Sequence, residues 1–272
     1  MISWKFKLWR GVGAAAALSL AACGGEGGES SERSGGEAGE SAAHGEAGEA
    51  AAPAPPPMSG GEQGELGIAG VYSGLSGDAR TALRLQHLKG FVLVAQRQTD
   101  ANAPAEAAVL VQQGLLEVYD TAADEFGALD AAPVRAAGDG AAASTADIER
   151  RLQTAAAAID NVRNPLDVNH AELAVRMVDI STGLYQYVVQ PDFVDPIEYQ
   201  HSLGAALSAR DALVSGERQL RRANSAAYDE ALGELDRLIA LWPAAAAPEQ
   251  PASYQQVLAQ ASRVRLALSP FL

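Results

Sequence analysis

From Gly77 to Leu272, apolar residues recur every three or four positions in seven segments separated by turn chemistry. That spacing places them on one side of an α-helix, whereas the period-two alternation of a half-buried strand is absent. The first segment opens near Asp78, which reads as a cap, and carries Leu85, Leu88, Val92 and Ala95. Pro104 takes a first-turn position in the second, ahead of Val111, Leu115, Val118 and Ala122. Ser144 and Thr145 offer caps for a third helix lined by Ile148, Leu152, Ala155 and Ile159. A fourth starts near Asp167, with Asn169 and Glu172 at capping-box spacing, and shows Leu173, Met177, Ile180, Leu184 and Val188. Asp195-Pro196-Ile197-Glu198 combines a cap, a first-turn proline and a glutamate three residues after the cap, a strong start for the fifth. The sixth carries Tyr228, Leu232, Leu235, Ile239 and Trp242 and stops at Pro243; Ser253 and Gln256 open the last, with Val257, Ala261, Val264 and Leu268.

The spacing therefore predicts an all-α fold, a bundle of about six or seven helices over 77–272. Composition agrees: 48% of residues are hydrophobic, many of them alanine, and only 6% are aromatic, which suits closely packed helices better than a sheet. Such a length supports one continuous core. The Gly/Ala-rich stretch Ala131–Ala143 reads as a loop that sets the first two helices off as a hairpin within that domain.

The chain ahead of this domain has a different character. Lys5, Lys7 and Arg10 precede an uncharged run of small and apolar residues from Gly11 to Ala22. This is the layout of a secretory signal, and it falls short of the roughly 20 apolar residues a bilayer span needs. The run ends in Leu20-Ala21-Ala22-Cys23, which resembles the lipobox of bacterial lipoproteins. The resemblance implies diacylglyceryl transfer to the Cys23 sulfur, cleavage between Ala22 and Cys23, and acylation of the new amine, since several acyl chains anchor stably where one does not. An ordinary cleaved signal that leaves Cys23 free is the alternative. Gly24 after the cysteine implies an outer-membrane position facing the periplasm in a Gram-negative host.

Three parts follow: a signal peptide over 1–22, a lipid-anchored linker over 23–76, and the helical domain over 77–272. The linker is built from Gly, Glu, Ala, Ser and Pro, repeats GEAGE at Gly36–Glu40 and Gly45–Glu49, and closes on Pro53-Ala54-Pro55-Pro56-Pro57. Such a composition buries too little surface to offset its ordering entropy, so it is expected to be a disordered leash with an r.m.s. span of roughly 40 Å.

Charge excludes some partners. The formal net charge is -14, and loss of the signal removes three positive charges and no negative ones. So acidic a chain repels nucleic acid and anionic lipid surfaces as general partners, leaving the N-terminal lipid as its expected membrane contact. A single cysteine rules out an intramolecular disulfide and a zinc–thiolate site.

Histidine is the other source of chemistry. Glu198 and His201 are spaced i, i+3 on the fifth helix, a pairing that supplies ligands in di-iron bundles when other helices complete the set. His87 and His170 are the further candidates, and a meeting of all four would suit a divalent iron, copper or zinc ion. More simply, Ala205, Ser208 and Ala212 along the Glu198 stripe indicate close helix packing, His87 sits among apolar neighbours, and His170 falls in a first helical turn. No Gly-x-Ser-x-Gly, phosphate-binding loop or His-Glu-x-x-His is present, so no enzyme is expected.

The segments Asp195-Pro196-Ile197-Glu198-Tyr199-Gln200-His201 and Leu83 to Phe91 resemble a group of bacterial envelope lipoproteins. Those proteins have an acidic Gly/Glu leader and a helical domain, and are companions of imelysin-type, iron-regulated helical proteins. The resemblance implies metal handling, but where the group carries Leu-x-Gly-His this chain reads Leu88-Lys89-Gly90-Phe91. The expectation is thus a non-enzymatic envelope lipoprotein, a tethered helical module for protein interaction or complex organisation. The alternative is a metal-binding accessory lipoprotein in envelope iron or copper handling.

Overall fold

The computed structural model describes residues 68–140 and 143–272; the signal, Cys23 and the linker up to residue 67 lie outside the described residues. Eight α-helices carry the described chain: α1 (Gly77–Asp100), α2 (Pro104–Gly114), α3 (Ala132–Gly138), α4 (Thr145–Arg163), α5 (His170–Tyr185), α6 (Pro196–Ser215), α7 (Glu217–Ile239) and α8 (Tyr254–Leu268). Among the described residues, extended pairing is limited to one bridge, Val189 with Val194, in the α5–α6 loop. The all-α class read from the sequence is the observed one. No described helix is long and apolar enough to cross a membrane.

The caps explain several of the boundaries. Asn169 accepts from the backbone N–H groups of Ala171 and Glu172, and Asp195 from those of Ile197 and Glu198. Ser144 accepts from Asp147 N–H, and Ser253 and Gln256 form a reciprocal capping box at the start of α8. Asp78, expected as a cap, is not one: α1 starts after Ser76, and the Asp78 carboxylate instead accepts from Asp167 N–H at 3.3 Å. Glu172 turns to Arg176, and Glu198 turns inward with no exposed surface.

Three expectations need correction. Ala132–Gly138 lies in the stretch expected to be a loop but is helical, because Pro133 presets the first turn and Val134 and Ala137 bury fully. The first two helices are not a separate hairpin. α1 is the central helix, packed against α2, α4 and α6, and its buried residues include Leu83, Val94 and Phe91 off the expected stripe. Finally, the packed chain begins before residue 77. Ile68 and Tyr72, placed in the linker by sequence, are buried in the core, the latter in a 3₁₀ turn over Ala69–Tyr72.

α1 and α6 cross in opposite senses at Gly90 and Gly204. A Cβ on Gly204 would lie 2.7 Å from the Gly90 carbonyl oxygen, and one on Gly90 would lie 2.9 Å from that of Gly204. On one side of the crossing lies a buried polar cluster. Lys89 Nζ pairs with Asp160 at 2.7 Å and Asp211 at 2.8 Å, and Arg163 Nη1 reaches Asp211 at 2.9 Å. Two cations thus offset two carboxylates, and Gln86 and Ser208 complete the hydrogen bonding. On the other side the helices carry His87 and His201, each three residues before its glycine. The crossing therefore sets how far apart these two imidazoles lie.

Candidate functional site

α2 ends at Gly114, where Phe91 from α1 occupies the space a side chain would take: a Cβ there would lie 2.6 Å from the Phe91 ring. The chain then widens into a π-helical turn, Leu115–Tyr119, in place of the continuous helix the apolar spacing predicts. Such turns displace side chains from regular helical positions. Here the turn brings Glu117 and Val118 to a cavity of about 280 Å³ bounded by α1, α6 and the Ile68–Tyr72 segment.

The cavity has an apolar wall of Ile68, Phe91, Val118 and Leu184 and a polar one of His87, Glu117, Glu198 and His201. Tyr72 Oη lies 2.6 Å from His87 Nδ1. The neutral phenol donates to His87 Nδ1, which puts the proton of the neutral imidazole on Nε2. Burial raises the Tyr72 hydroxyl well above its ordinary value and keeps it a neutral donor. His201 Nδ1 lies 3.5 Å from Glu117 Oε2, and its Nε2 lies 3.2 Å from Gln113 Oε1. Gln113 Oε1 accepts, so the neutral ring carries its proton on Nε2 and donates it there, while Nδ1 faces Glu117 at a distance too long for a good hydrogen bond.

Both rings are neutral at ordinary pH. Desolvation lowers His87 to about 3, helped by the nearby His201 and Arg84, and lowers His201 to about 4. At the mouth of the cavity, Arg80 Nε and Arg84 Nε pair with Glu125 at 2.7 and 2.6 Å. These hydrogen bonds, that of Arg80 first, hold the Glu125 carboxyl below its usual range. The Arg84 guanidinium also stacks over the Tyr72 ring, 4.0 Å from its centroid.

Of the four residues singled out for a metal, three meet here and one does not. His87, Glu198 and His201 line the cavity. His170 packs instead against Gly216, at the junction of α6 and α7, with its Nδ1 buried and unpartnered. The three that meet do not converge on a point. The Phe91 ring lies between the imidazoles, 5.7 Å from His87 and 4.7 Å from His201. Among the described residues, no group of three or more His, Cys, Asp or Glu is placed to hold a metal ion. The arrangement is a polar and aromatic cavity.

Sequence reasoning missed Tyr72, Arg80, Arg84, Phe91 and Glu117. A signal existed for four of them. Arg80, Arg84, His87 and Phe91 run at four-, three- and four-residue steps down one side of α1, and Tyr72 follows Ile68 at helical spacing. For Glu117 there was none, because the π turn that displaces it has no sequence signature. Cys23 and the Ala22–Cys23 bond lie outside the described residues. The chain matches no protein-family model, no curated protein and no solved structure.

Proposed function

We propose that this chain is a non-enzymatic, lipid-anchored module of the cell envelope whose helical domain binds a small ligand in the cavity between α1, α2 and α6. The observation that carries this reading is that His87, Glu117, Glu198 and His201, from three separate helical segments, line one cavity. Concave sites with a mainly apolar wall and a few convergent polar groups are the usual form of a small-molecule pocket. The lipobox-like Leu20–Cys23 segment and the acidic leader support the tether, and the absence of a catalytic motif supports binding without turnover.

Native mass spectrometry of the full chain, isolated gently from cells, tests the cavity. Thr121 stands at its mouth, so Thr121→Trp should remove a retained mass that the wild type carries. An unchanged mass spectrum in that variant would sink the reading. Labelled palmitate tests the tether: it should enter the wild type and not Cys23→Ser, and equal labelling would refute the anchor.

A protein partner is the second reading, favoured by the exposed Val189 and Phe193 of the α5–α6 loop and Ile197 at the start of α6. Photocrosslinking in cells from position 193 should capture one defined partner; a diffuse smear would count against it.

A further inference from the structure

One wall of the cavity is attached differently from the others. The Ile68–Tyr72 segment lends it two buried side chains, Ile68 and Tyr72. Beyond its own 3₁₀ turn, the backbone hydrogen bonds of this segment among the described residues are local. Ser73 N–H donates to the Gly70 carbonyl at 3.1 Å and Leu75 N–H to that of Tyr72 at 3.4 Å. Side chains fasten it to the helices. Tyr72 Oη lies 2.6 Å from His87 Nδ1, and the Arg84 guanidinium covers the Tyr72 ring. From α5, Arg176 Nη1 donates to the Val71 carbonyl at 2.8 Å. Each contact is modest in net energy, and releasing all three leaves the hydrogen bonds of the helices intact.

The chain behind the segment is able to turn. Gly74 has a φ of +75°, open to glycine and rarely adopted by other residues, and a Cβ there would meet nothing within 4 Å. Leu75, the next residue, packs against the core, and Arg80 Nη1 donates to its carbonyl at 3.5 Å. Rotation at Gly74 therefore moves the segment and leaves α1 in place.

We infer that Ile68–Tyr72 is a strap, latched by Tyr72 and Arg176 and hinged at Gly74, whose opening admits ligand to the cavity. This rests on the reading of the cavity as a binding site. Opening withdraws Ile68 and Tyr72 from the lining while α1, α2 and α6 stay packed, as in other proteins whose sites are gated by a short segment.

Diethyl pyrocarbonate, a small reagent that acylates unprotonated imidazole, reads the opening in the full chain with no ligand added. His201 is the reporter, because it lines the cavity and hydrogen-bonds Gln113, not the strap. Tyr72→Phe keeps the ring beneath Arg84 and removes the bond to His87. Arg176→Met removes the bond to Val71 from a residue outside the cavity lining, so its effect on His201 must pass through the strap. Each should speed His201 labelling by roughly twofold to tenfold, the effect of one lost hydrogen bond on an opening equilibrium, and the pair should exceed either. Hydrogen exchange over 68–76 should rise in step while α1 and α6 keep their protection.

Unchanged His201 labelling in both variants overturns the strap. So does labelling that rises only together with exchange across α1 and α6, which is unfolding and not opening. Arg176 is partly exposed, so Arg176→Met decides the matter if Tyr72→Phe fails to fold. The parent reading falls separately, through an unchanged retained mass in Thr121→Trp.

Discussion

At the scale of the residue, the site depends on side chains that are neutral where their type is usually charged or half-charged. An unfolded chain protonates His87 and His201 near pH 6.5, whereas the folded chain resists until about 3 and about 4. Between those limits the unfolded state binds more protons, so stability rises with pH and is lost as the pH falls from about 6.5. Asp211 acts lower down. Burial alone would raise its pKa, but Lys89, Gln86 and Arg163 hold it below the ordinary value. Its contribution is present above about pH 4 and is lost as the pH falls through the lowered value. Denaturant midpoints measured from pH 7.5 to 4.5 should therefore decline in the wild type. The decline should be clearly shallower in His87→Gln, which keeps an acceptor for Tyr72 without a group that titrates. Parallel slopes would mean that His87 is not buried and neutral.

At the scale of the element, most boundaries were legible because they follow from local chemistry: Asn169, Asp195 and the Ser253/Gln256 pair cap where their side chains reach the next N–H groups. What escaped depends on contacts distant in sequence. The α7 stripe from Tyr228 was read correctly, but the helix begins at Glu217 and kinks at Asn224, whose side chain recaps it by accepting from Ala227 N–H at 3.1 Å. The close seat of Phe91 on Gly114, just before the π turn, joins residues more than twenty positions apart. The α1–α6 crossing is of the same kind, since nothing near Gly90 announces Gly204. That crossing carries a sharp expectation. Gly204→Ala should destabilise by about 3 kcal/mol, the upper part of the overpacking range, because its methyl meets backbone that cannot turn aside. Gly233→Ala, where a Cβ meets nothing within 4 Å, should instead stabilise by roughly 0.5–1 kcal/mol through helix propensity. Thermal melts of the pair should move in opposite directions; a mild effect at Gly204 would mean the helices are further apart.

At the scale of the whole molecule, the crossing joins two functions of one scaffold. On one side, the Lys89, Arg163, Asp160 and Asp211 cluster ties α1, α4 and α6 together, and on the other the same helices present His87, His201 and Glu198 to the cavity. Sequence gave reason to single out those three residues but not to expect His170 elsewhere, because a shared site is a property of the assembled bundle. Ile68, the first described residue, belongs to the cavity wall. At the heart of the site, two buried histidines face each other across Phe91 in one cavity. Nitrogen NMR of the histidine rings in the full chain, followed from pH 7.5 to 3.5, tests it most directly. Two of the four rings should stay neutral until about pH 4, and Thr121→Trp should shift those two and leave the others unchanged. Four rings titrating together near pH 6.5 would contradict the cavity and the function proposed for it.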